Sequence, residues 1–178
     1  YDLRSDFEFW LAKENDGFPS AVRLVRDNIE EEEDPDFVRI VLHKNGTITD
    51  NKTSLMWKSA DSYLDLDKWI SWDEAKTYVQ GLNRLQFAGY RDWRMPTRKE
   101  AQGIYDASNP VTDNYGDIIF LAKGFPAGAG LTCWTKTLNK SDKGLAVRFH
   151  FYNGDYKWHQ LGLRSHGVRA VRDLKDGS

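Results

Sequence analysis

The stretch that decides the fold is Ala88-Gly89-Tyr90-Arg91-Asp92-Trp93-Arg94-Met95-Pro96-Thr97. Proline followed by threonine is typical of a helix start, so a helix is predicted to begin at Thr97. Trp93 is predicted to lie in the core, because a large apolar ring is rarely left in water. We expect Asp92 and Arg94 to form an ion pair that orients this turn; the alternative is that both face a ligand.

Two capping boxes predict two helices. Ser71 is followed by Glu74, and Thr97 by Glu100, at the spacing that satisfies the first free backbone N–H groups of a helix. After Ser71, apolar residues recur at spacings of three and four, as on one helical face. Those residues are Trp72, Ala75, Val79 and Leu82. The tryptophans Trp57, Trp72 and Trp134 are predicted to lie in the core.

Turn signals and alternation predict antiparallel strands around these helices. Asn45-Gly46 separates residues 37–42 from residues 47–50, which is typical of a hairpin. Residues 146–151 alternate apolar and polar side chains, and Asn153-Gly154 predicts the next hairpin turn. By contrast, residues 106–130 are rich in Gly, Pro, Asn and Asp and are predicted to be loop, with a short element left open at residues 118–121.

Composition narrows the classes of function. The 178 residues carry 25 basic and 27 acidic side chains and a net charge of −2, so nucleic acid is not an expected partner. No apolar run approaches the length of a transmembrane helix, so membrane insertion is not expected. The single cysteine, Cys133, excludes an internal disulfide.

The first 36 residues are predicted to be separate from the domain that follows. Residues 21–27 and 167–173 share five of seven positions, counting Val, Arg, Val, Arg and Asp. We therefore interpret residues 1–27 as the tail strand of a preceding copy of the domain, or as a donated strand. Residues 28–36 carry six acidic side chains and a proline, which predicts an extended linker to a domain at 37–178.

Five segments in order resemble the DUF1566 family, also called the Lcl C-terminal domain family. Residues 45–57 resemble its opening pattern, and residues 88–97 its G-Y-x-D-W-R-L-P-T pattern. Similar matches fall at 133–137, 149–154 and 167–172, so the resemblance covers about 37–173. The resemblance implies an α+β, C-type-lectin-like fold in which two helices flank a small antiparallel sheet with long loops.

The resemblance also implies a place outside the cell. Members of the family are mostly bacterial envelope or secreted proteins, often adhesins with tandem repeats, so we expect an extracellular, cell-surface or periplasmic location. In this fold, ligand residues lie on the late strands and loops. The late region here mixes aromatic and hydrogen-bonding side chains that suit recognition. The predicted ligand-binding residues are Lys136, Asn139, Arg148, His150, Tyr152, Tyr156, Trp158, His159 and Arg164.

Calcium binding is left open by the sequence. Asp113, Asn114 and Asp117, with Asp106 and Asn109 before them, could converge as oxygen ligands. The sugar-binding triplets of calcium-dependent lectins are missing from the chain, so no cofactor is required by the pattern.

The function expected from the sequence is non-enzymatic. One cysteine and four scattered histidines form no catalytic pattern, and the enzyme that shares the lectin-like fold needs two cysteines. We expect a binding module that recognises a glycan or a surface protein. The alternative is a structural subunit of a surface assembly or filament that self-associates by strand or domain packing of residues 1–27.

Overall fold

The computed structural model of the protein describes Glu8–Ala12 (β1), Pro19–Arg23 (β2) and residues 38–174. The chain divides into two compact units, residues 1–37 and residues 38–178.

The first unit contains one described pair of strands. Strands β1 and β2 are antiparallel, with Phe9 opposite Val22. The first three residues of the predicted repeat therefore lie in β2. Residues 24–27 and the predicted linker at 28–36 lie outside the described residues.

The second unit is built mainly from short strands. In chain order its described strands are Ile40–Leu42 (β3), Thr47–Asp50 (β4), Leu55–Lys58 (β5), Pro110–Thr112 (β6), Ile118–Phe120 (β7), Thr132–Leu138 (β8), Leu145–His150 (β9), Asp155–Gln160 (β10) and Val171–Asp173 (β11). The helices are Ser62–Leu66 (α1), Trp72–Arg84 (α2) and Arg98–Gly103 (α3). A short 3₁₀ turn at Phe87–Gly89 lies between α2 and α3.

These nine strands form three antiparallel sheets. One has the order β11-β5-β4-β3, the second β10-β9-β8, and the third is the pair β6-β7. The hairpins predicted at Asn45-Gly46 and Asn153-Gly154 are confirmed, since they join β3 to β4 and β9 to β10. The last strand of the chain lies at the edge of the first sheet beside β5.

The predicted fold class was wrong. The structure is mostly β, with nine strands in three sheets, rather than two helices flanking one small sheet. Only α2 is long, at 13 residues, whereas α1 and α3 have five and six. The reason is that strands of three residues leave no readable periodicity. Strand β6 lies in a segment that composition had predicted to be loop, whereas β7 coincides with the short element left open at residues 118–121.

The helix starts were predicted correctly. Ser71 and Thr97 are N-caps, and in each case the backbone N–H of the cap donates to the carboxylate of the glutamate three residues later. The face of α2 predicted to be apolar is buried.

Two hydrophobic clusters lie on opposite faces of the sheets. Leu55 and Trp57 enter one cluster, and Met56 between them enters the other, so β5 is buried on both faces. Cys133 and Trp134 divide in the same way on β8. The cluster with α3 holds Ile48, Ile104, Leu121, Phe125, Phe149, Phe151 and Val171, and the cluster with α2 holds Ile70, Trp72, Val79, Leu82, Trp93 and Val168.

The stretch at 88–97 attaches α3 to the end of the chain. Trp93 is buried, as predicted, and Arg94 exchanges two backbone hydrogen bonds with Val171. Asp92 and Arg94 each have a hydrogen-bonded partner other than the one predicted. Asp92 accepts from Arg172 at 2.7 Å and 3.1 Å. Arg94 instead pairs with Glu100 at 2.8 Å and with Asp173 at 2.6 Å. The reason is that β11 runs alongside this stretch and offers a charged partner to each residue.

Within the part of the chain that the structure describes, none of the helices combines the length and apolar composition needed to cross a bilayer.

Candidate functional site

A half-open cleft of about 430 Å³ lies at one end of the β8-β9-β10 sheet. Its lining is unusually rich in histidine, arginine and aromatic side chains, so we call it the histidine cleft. The lining residues are Trp69, Tyr115, Leu131, Thr132, Arg148, His150, His159, Arg164, Ser165 and His166.

Strand register places the residues at the base of the histidine cleft. Directly opposed residues of antiparallel strands share a face, and His150 lies opposite Thr132 on β8 and Asp155 on β10. Two residues earlier, Arg148 points the same way, opposite Trp134 and Lys157. This is the face that packs toward α2.

His166 is the centre of a hydrogen-bonded chain. Its Nδ1 lies 2.7 Å from Oγ1 of Thr132, and its Nε2 lies 3.0 Å from Nδ1 of His159. Trp134 packs edge-on against the His166 ring with the centroids 4.5 Å apart. His166 is only 5% exposed, so its hydrogen bonds to Thr132 and His159 are shielded from water. These bonds hold one wall of the cleft in place.

Burial keeps the histidines neutral near pH 7. It lowers the pKa of His166 to about 3, and repulsion from the cationic forms of His159 and His150 and from Arg148 acts in the same direction. Burial and then Arg148 also lower the pKa values of His150 and His159. In His150, Nδ1 accepts from the backbone N–H of Tyr152 at 3.3 Å, so in the neutral ring Nε2 carries the proton.

Two aromatic side chains form the opposite wall. Nε1 of Trp69 donates to the hydroxyl of Tyr115 at 3.0 Å, with the ring centroids 6.3 Å apart. Tyr63 packs behind Trp69 at 4.6 Å. A side chain at Gly130 would meet the Trp69 ring at 2.9 Å, so glycine is required there for the ring to lie close to the backbone. Tyr115 is 69% exposed, so it forms the outer rim.

The two arginines of the cleft have different surroundings. Arg164 pairs with Glu74 of α2 at 2.8 Å, and this contact helps hold the pKa of Glu74 at about 2, after the hydrogen bond from Ser71. Nη1 of Arg148 is shielded from solvent and has no hydrogen-bond partner among the described residues. Burial lowers the pKa of Arg148, and the nearby charge of Asp155 opposes that shift.

Four of the predicted ligand-binding residues meet in the histidine cleft: Arg148, His150, His159 and Arg164. Tyr152 lines a neighbouring hollow of about 570 Å³ that shares Leu131 and His150 with the cleft. Five of the nine predicted residues are therefore grouped at one end of the sheet.

Tyr156 and Trp158 lie on the face of β10 that points away from the histidine cleft. They oppose Phe149 and Val147, whereas the cleft face of β10 carries His159. Arg98 of α3 stacks over the Tyr156 ring at 4.2 Å. Because side chains alternate along a strand, these two aromatic residues cannot contact a ligand in the histidine cleft.

The remaining predicted residues lie at the far end of β8. The backbone N–H of Lys136 donates to Pro96 at 2.7 Å, and its side chain is exposed. Asn139 accepts from the backbone N–H groups of Ser141 and Asp142 at 2.9 Å and 3.1 Å, so its amide shapes the turn after β8.

The predicted calcium ligands close a turn. Oδ1 of Asp113 accepts from the backbone N–H groups of Tyr115 and Asp117 at 2.8 Å and 2.9 Å. Oδ2 of Asp113 and the amide of Asn114 are buried without a hydrogen-bond partner among the described residues. Among all the residues that the structure describes, no group of three or more His, Cys, Asp or Glu side chains is arranged to hold a metal ion. Calcium at this turn stays a prediction.

A second groove, of about 490 Å³, runs along α2 and is lined by Leu66, Tyr78 and Leu85 among others. Burial and the hydrogen bond to Asp65 raise the pKa of Tyr78, so this hydroxyl stays protonated. Nothing in the structure shows what covers this groove.

Trp69, Tyr115, Thr132, Ser165 and His166 were not predicted from the sequence. Trp69 and Tyr115 lie in segments without a motif and meet only through the fold. His166 had one usable signal, since it directly precedes the final Gly167–Arg172 pattern, but a lone histidine there is ambiguous.

Comparison with known protein families places the second unit of the chain in one family. The Lcl C-terminal domain family matches residues 46–172, and the chain belongs to that family. The match includes the whole β8-β9-β10 sheet, all three helices and the lining residues of the histidine cleft. In the other main sheet it includes β4, β5 and the start of β11, whereas β3 lies before it. No curated protein and no solved structure matches the chain.

Proposed function

We propose that residues 38–174 form a non-enzymatic binding module that recognises a glycan in the histidine cleft. The observation that carries this proposal is the hydrogen-bonded pair Trp69 and Tyr115, whose rings line the same cleft as hydrogen-bonding side chains of the strands. Sugar rings have apolar faces that stack on aromatic rings and hydroxyl edges that need donors and acceptors. A volume of about 430 Å³ is within the range of small-ligand sites.

The binding residues are rigidly supported. Arg148, His150 and His159 lie on paired strands, and the Thr132–His166–His159 chain fixes the imidazole rings. Less side-chain entropy is lost on binding when the groups are already held in place, so affinity improves.

The same geometry is unfavourable for catalysis. Cys133 is fully buried and burial raises its pKa to about 12, so the reactive thiolate does not form near neutral pH. Ser165 lies 3.1 Å from Nε2 of His166, as a nucleophile and base would. A histidine with a pKa of about 3 is too weak a base for that role.

We also propose that the protein acts at the bacterial surface, in the periplasm or in the medium, because members of this family are mostly envelope or secreted proteins. Two alternative hypotheses remain. The cleft binds a protein ligand, or the domain has a structural role in a surface assembly. No contact between described residues favours the assembly role.

A glycan-array screen of the full chain, with calcium and with chelator, tests the proposal. We expect binding that Tyr115→Ala weakens by about tenfold or more, as for a contact worth over 1 kcal/mol. Leu85→Ala is the control, because Leu85 is 81% exposed and lies in the α2 groove. Loss of binding on chelation would support the calcium prediction at Asp113.

Two other results would overturn the glycan assignment. If Trp158→Ala abolishes binding and Tyr115→Ala does not, the ligand contacts the opposite face of β10. If no glycan binds in either buffer, the cleft is not a glycan site. Self-association of the full chain in sedimentation would then favour the assembly role.

A further inference from the structure

The histidine cleft contains a cationic group, Arg148, with one nitrogen that has no hydrogen-bond partner among the described residues. Arg148 lies on the central strand β9, and its Nη1 is removed from solvent with no hydrogen-bond partner in the described part of the chain. A buried guanidinium N–H without an acceptor is costly, and arginine does not lose its proton to avoid that cost. A ligand atom that accepts from Nη1 would remove the penalty.

The charge balance around Arg148 leaves a single positive charge. Arg164, the other arginine of the cleft, is paired with Glu74. On β10, Lys157 faces Arg148 and Asp155 faces His150, so these two opposite charges offset each other.

The other lining residues contribute no formal charge at neutral pH. The three histidines are neutral near pH 7, since burial lowers their pKa values. Tyrosine, threonine and serine supply neutral hydroxyls. The site therefore complements an anion of charge −1, not a polyanion.

The geometry of the donors favours a planar anion. A guanidinium presents parallel N–H groups in one plane, which matches the two oxygens of a carboxylate. His150 carries its proton on Nε2, because Nδ1 is occupied by the N–H of Tyr152. Donors from Arg148 and His150 lie two residues apart on one face of β9, so both can reach the same group.

We propose that the ligand of the histidine cleft is an acidic sugar, whose carboxylate pairs with Arg148 while its ring stacks against Trp69 and Tyr115. This inference rests on the proposed function, and it narrows the ligand to saccharides that carry a carboxyl group, such as uronic acids. Neutral sugars would leave Nη1 of Arg148 without an acceptor and would bind more weakly.

The test uses the full chain and an array of uronic-acid and nonulosonic-acid saccharides, each paired with its methyl ester. The ester keeps the ring and removes only the charge. We expect the acids to bind at least about tenfold more tightly than their esters, the ratio for a lost charged hydrogen bond. A sulfated neutral oligosaccharide of equal length tests the planar-anion argument, and it should bind no better than the esters.

Variants at Arg148 assign the effect to that side chain. Arg148→Gln should remove the preference for acid over ester, and Arg148→Lys should retain part of it, since charge remains without the planar fork. The exposed Arg91 supplies the matched control, and Arg91→Gln should keep the full preference. The thermal stability of Arg148→Gln should be equal to that of the natural chain or slightly higher, because the substitution removes a buried N–H that has no acceptor within the described structure.

The outcomes separate the two proposals. Equal binding of acids and esters, or a full preference in Arg148→Gln, would overturn the acidic-sugar inference and leave glycan binding intact. A sulfated ligand that binds more tightly than every carboxylate would also overturn it. Binding to no saccharide at all would overturn both proposals.

Discussion

At the scale of single residues, Arg169 is the most unusual side chain of the core. It is 1% exposed, and its guanidinium nitrogens make no hydrogen bond to the described residues. The nearest carboxylate oxygen belongs to Asp61, at 3.9 Å, and the rings of Phe125 and Phe151 lie 5.6 Å and 5.1 Å away. A buried charge in these surroundings depends on Asp61 for compensation.

Removing that compensation should be costly. We expect Asp61→Ala to lower the free energy of unfolding by about 3 kcal/mol or more, because Arg169 is then buried without a counter-charge and α1 loses its N-cap. Arg169→Met should cost less. The double variant should be less destabilised than the sum of the two single variants, as measured by urea unfolding. Strict additivity would contradict the coupling.

His166 should make stability depend on pH. Its pKa of about 3 in the folded state lies below the unfolded value near 6.5. As the pH falls, the unfolded state therefore takes up a proton before the folded state does, and the free energy of unfolding decreases between about pH 6.5 and pH 3.

A comparison with His166→Gln isolates this contribution. Between pH 7 and pH 4, the stability of the natural chain should fall by about 3 kcal/mol more than that of the variant. Denaturant unfolding at several pH values measures the difference. Parallel pH profiles for the two proteins would show that His166 is not the group responsible.

At the scale of elements, the N-caps are local devices with predictable energies. Oγ of Ser71 accepts from the N–H of Glu74 at 3.3 Å, and the backbone N–H of Ser71 donates to the Glu74 carboxylate at 2.8 Å. Both residues are close in sequence, so neither bond requires the rest of the fold.

Ser71→Ala should destabilise the protein by about 1 kcal/mol, because one N–H at the start of α2 loses its acceptor. Thr77→Ala is the control on the exposed side of the same helix, and it should be neutral or slightly stabilising. Thermal unfolding of the two variants measures both effects. Equal loss in both would argue against a specific cap.

Strand β10 shows how one element divides a set of predicted residues. Trp158 and His159 are neighbours in sequence, but they lie on opposite faces of the sheet. Alternation could have predicted that separation. It could not predict which face opens into a cleft, because that depends on the elements packed against the sheet.

At the scale of the whole molecule, the last strand holds the domain together. Val171 pairs with Trp57 of β5 and exchanges hydrogen bonds with Arg94, and Arg172 reaches Asp92. Val168 and Val171 are fully buried, one in each hydrophobic cluster. These contacts join segments that are about 80 or more residues apart in the chain.

A chain that ends at residue 170 should therefore lose cooperative folding, since β5 and the 88–97 stretch lose their common partner. A chain that ends at Leu174 retains β11 and is the matched control. Calorimetry should detect a single unfolding transition in the control and none in the shorter chain. A cooperative transition in the shorter chain would show that β11 is dispensable.

What the sequence determined by itself is local. The capping boxes at Ser71 and Thr97, the Asn-Gly hairpins, the buried tryptophans and the family pattern all depend on residues within a few positions of one another. Their geometry follows from backbone hydrogen bonding and side-chain alternation, which act over short distances along the chain.

What only the tertiary structure decided is long-range. The described strands of residues 38–174 form two main sheets plus a small pair. Asp92 and Arg94 take separate partners on β11, and Trp69, Tyr115 and His166 line one cleft. No periodicity encodes these contacts, because pairing between distant strands is chosen by how the whole set of apolar faces can be buried at once. The candidate site forms where that packing leaves polar side chains on an open end of a sheet.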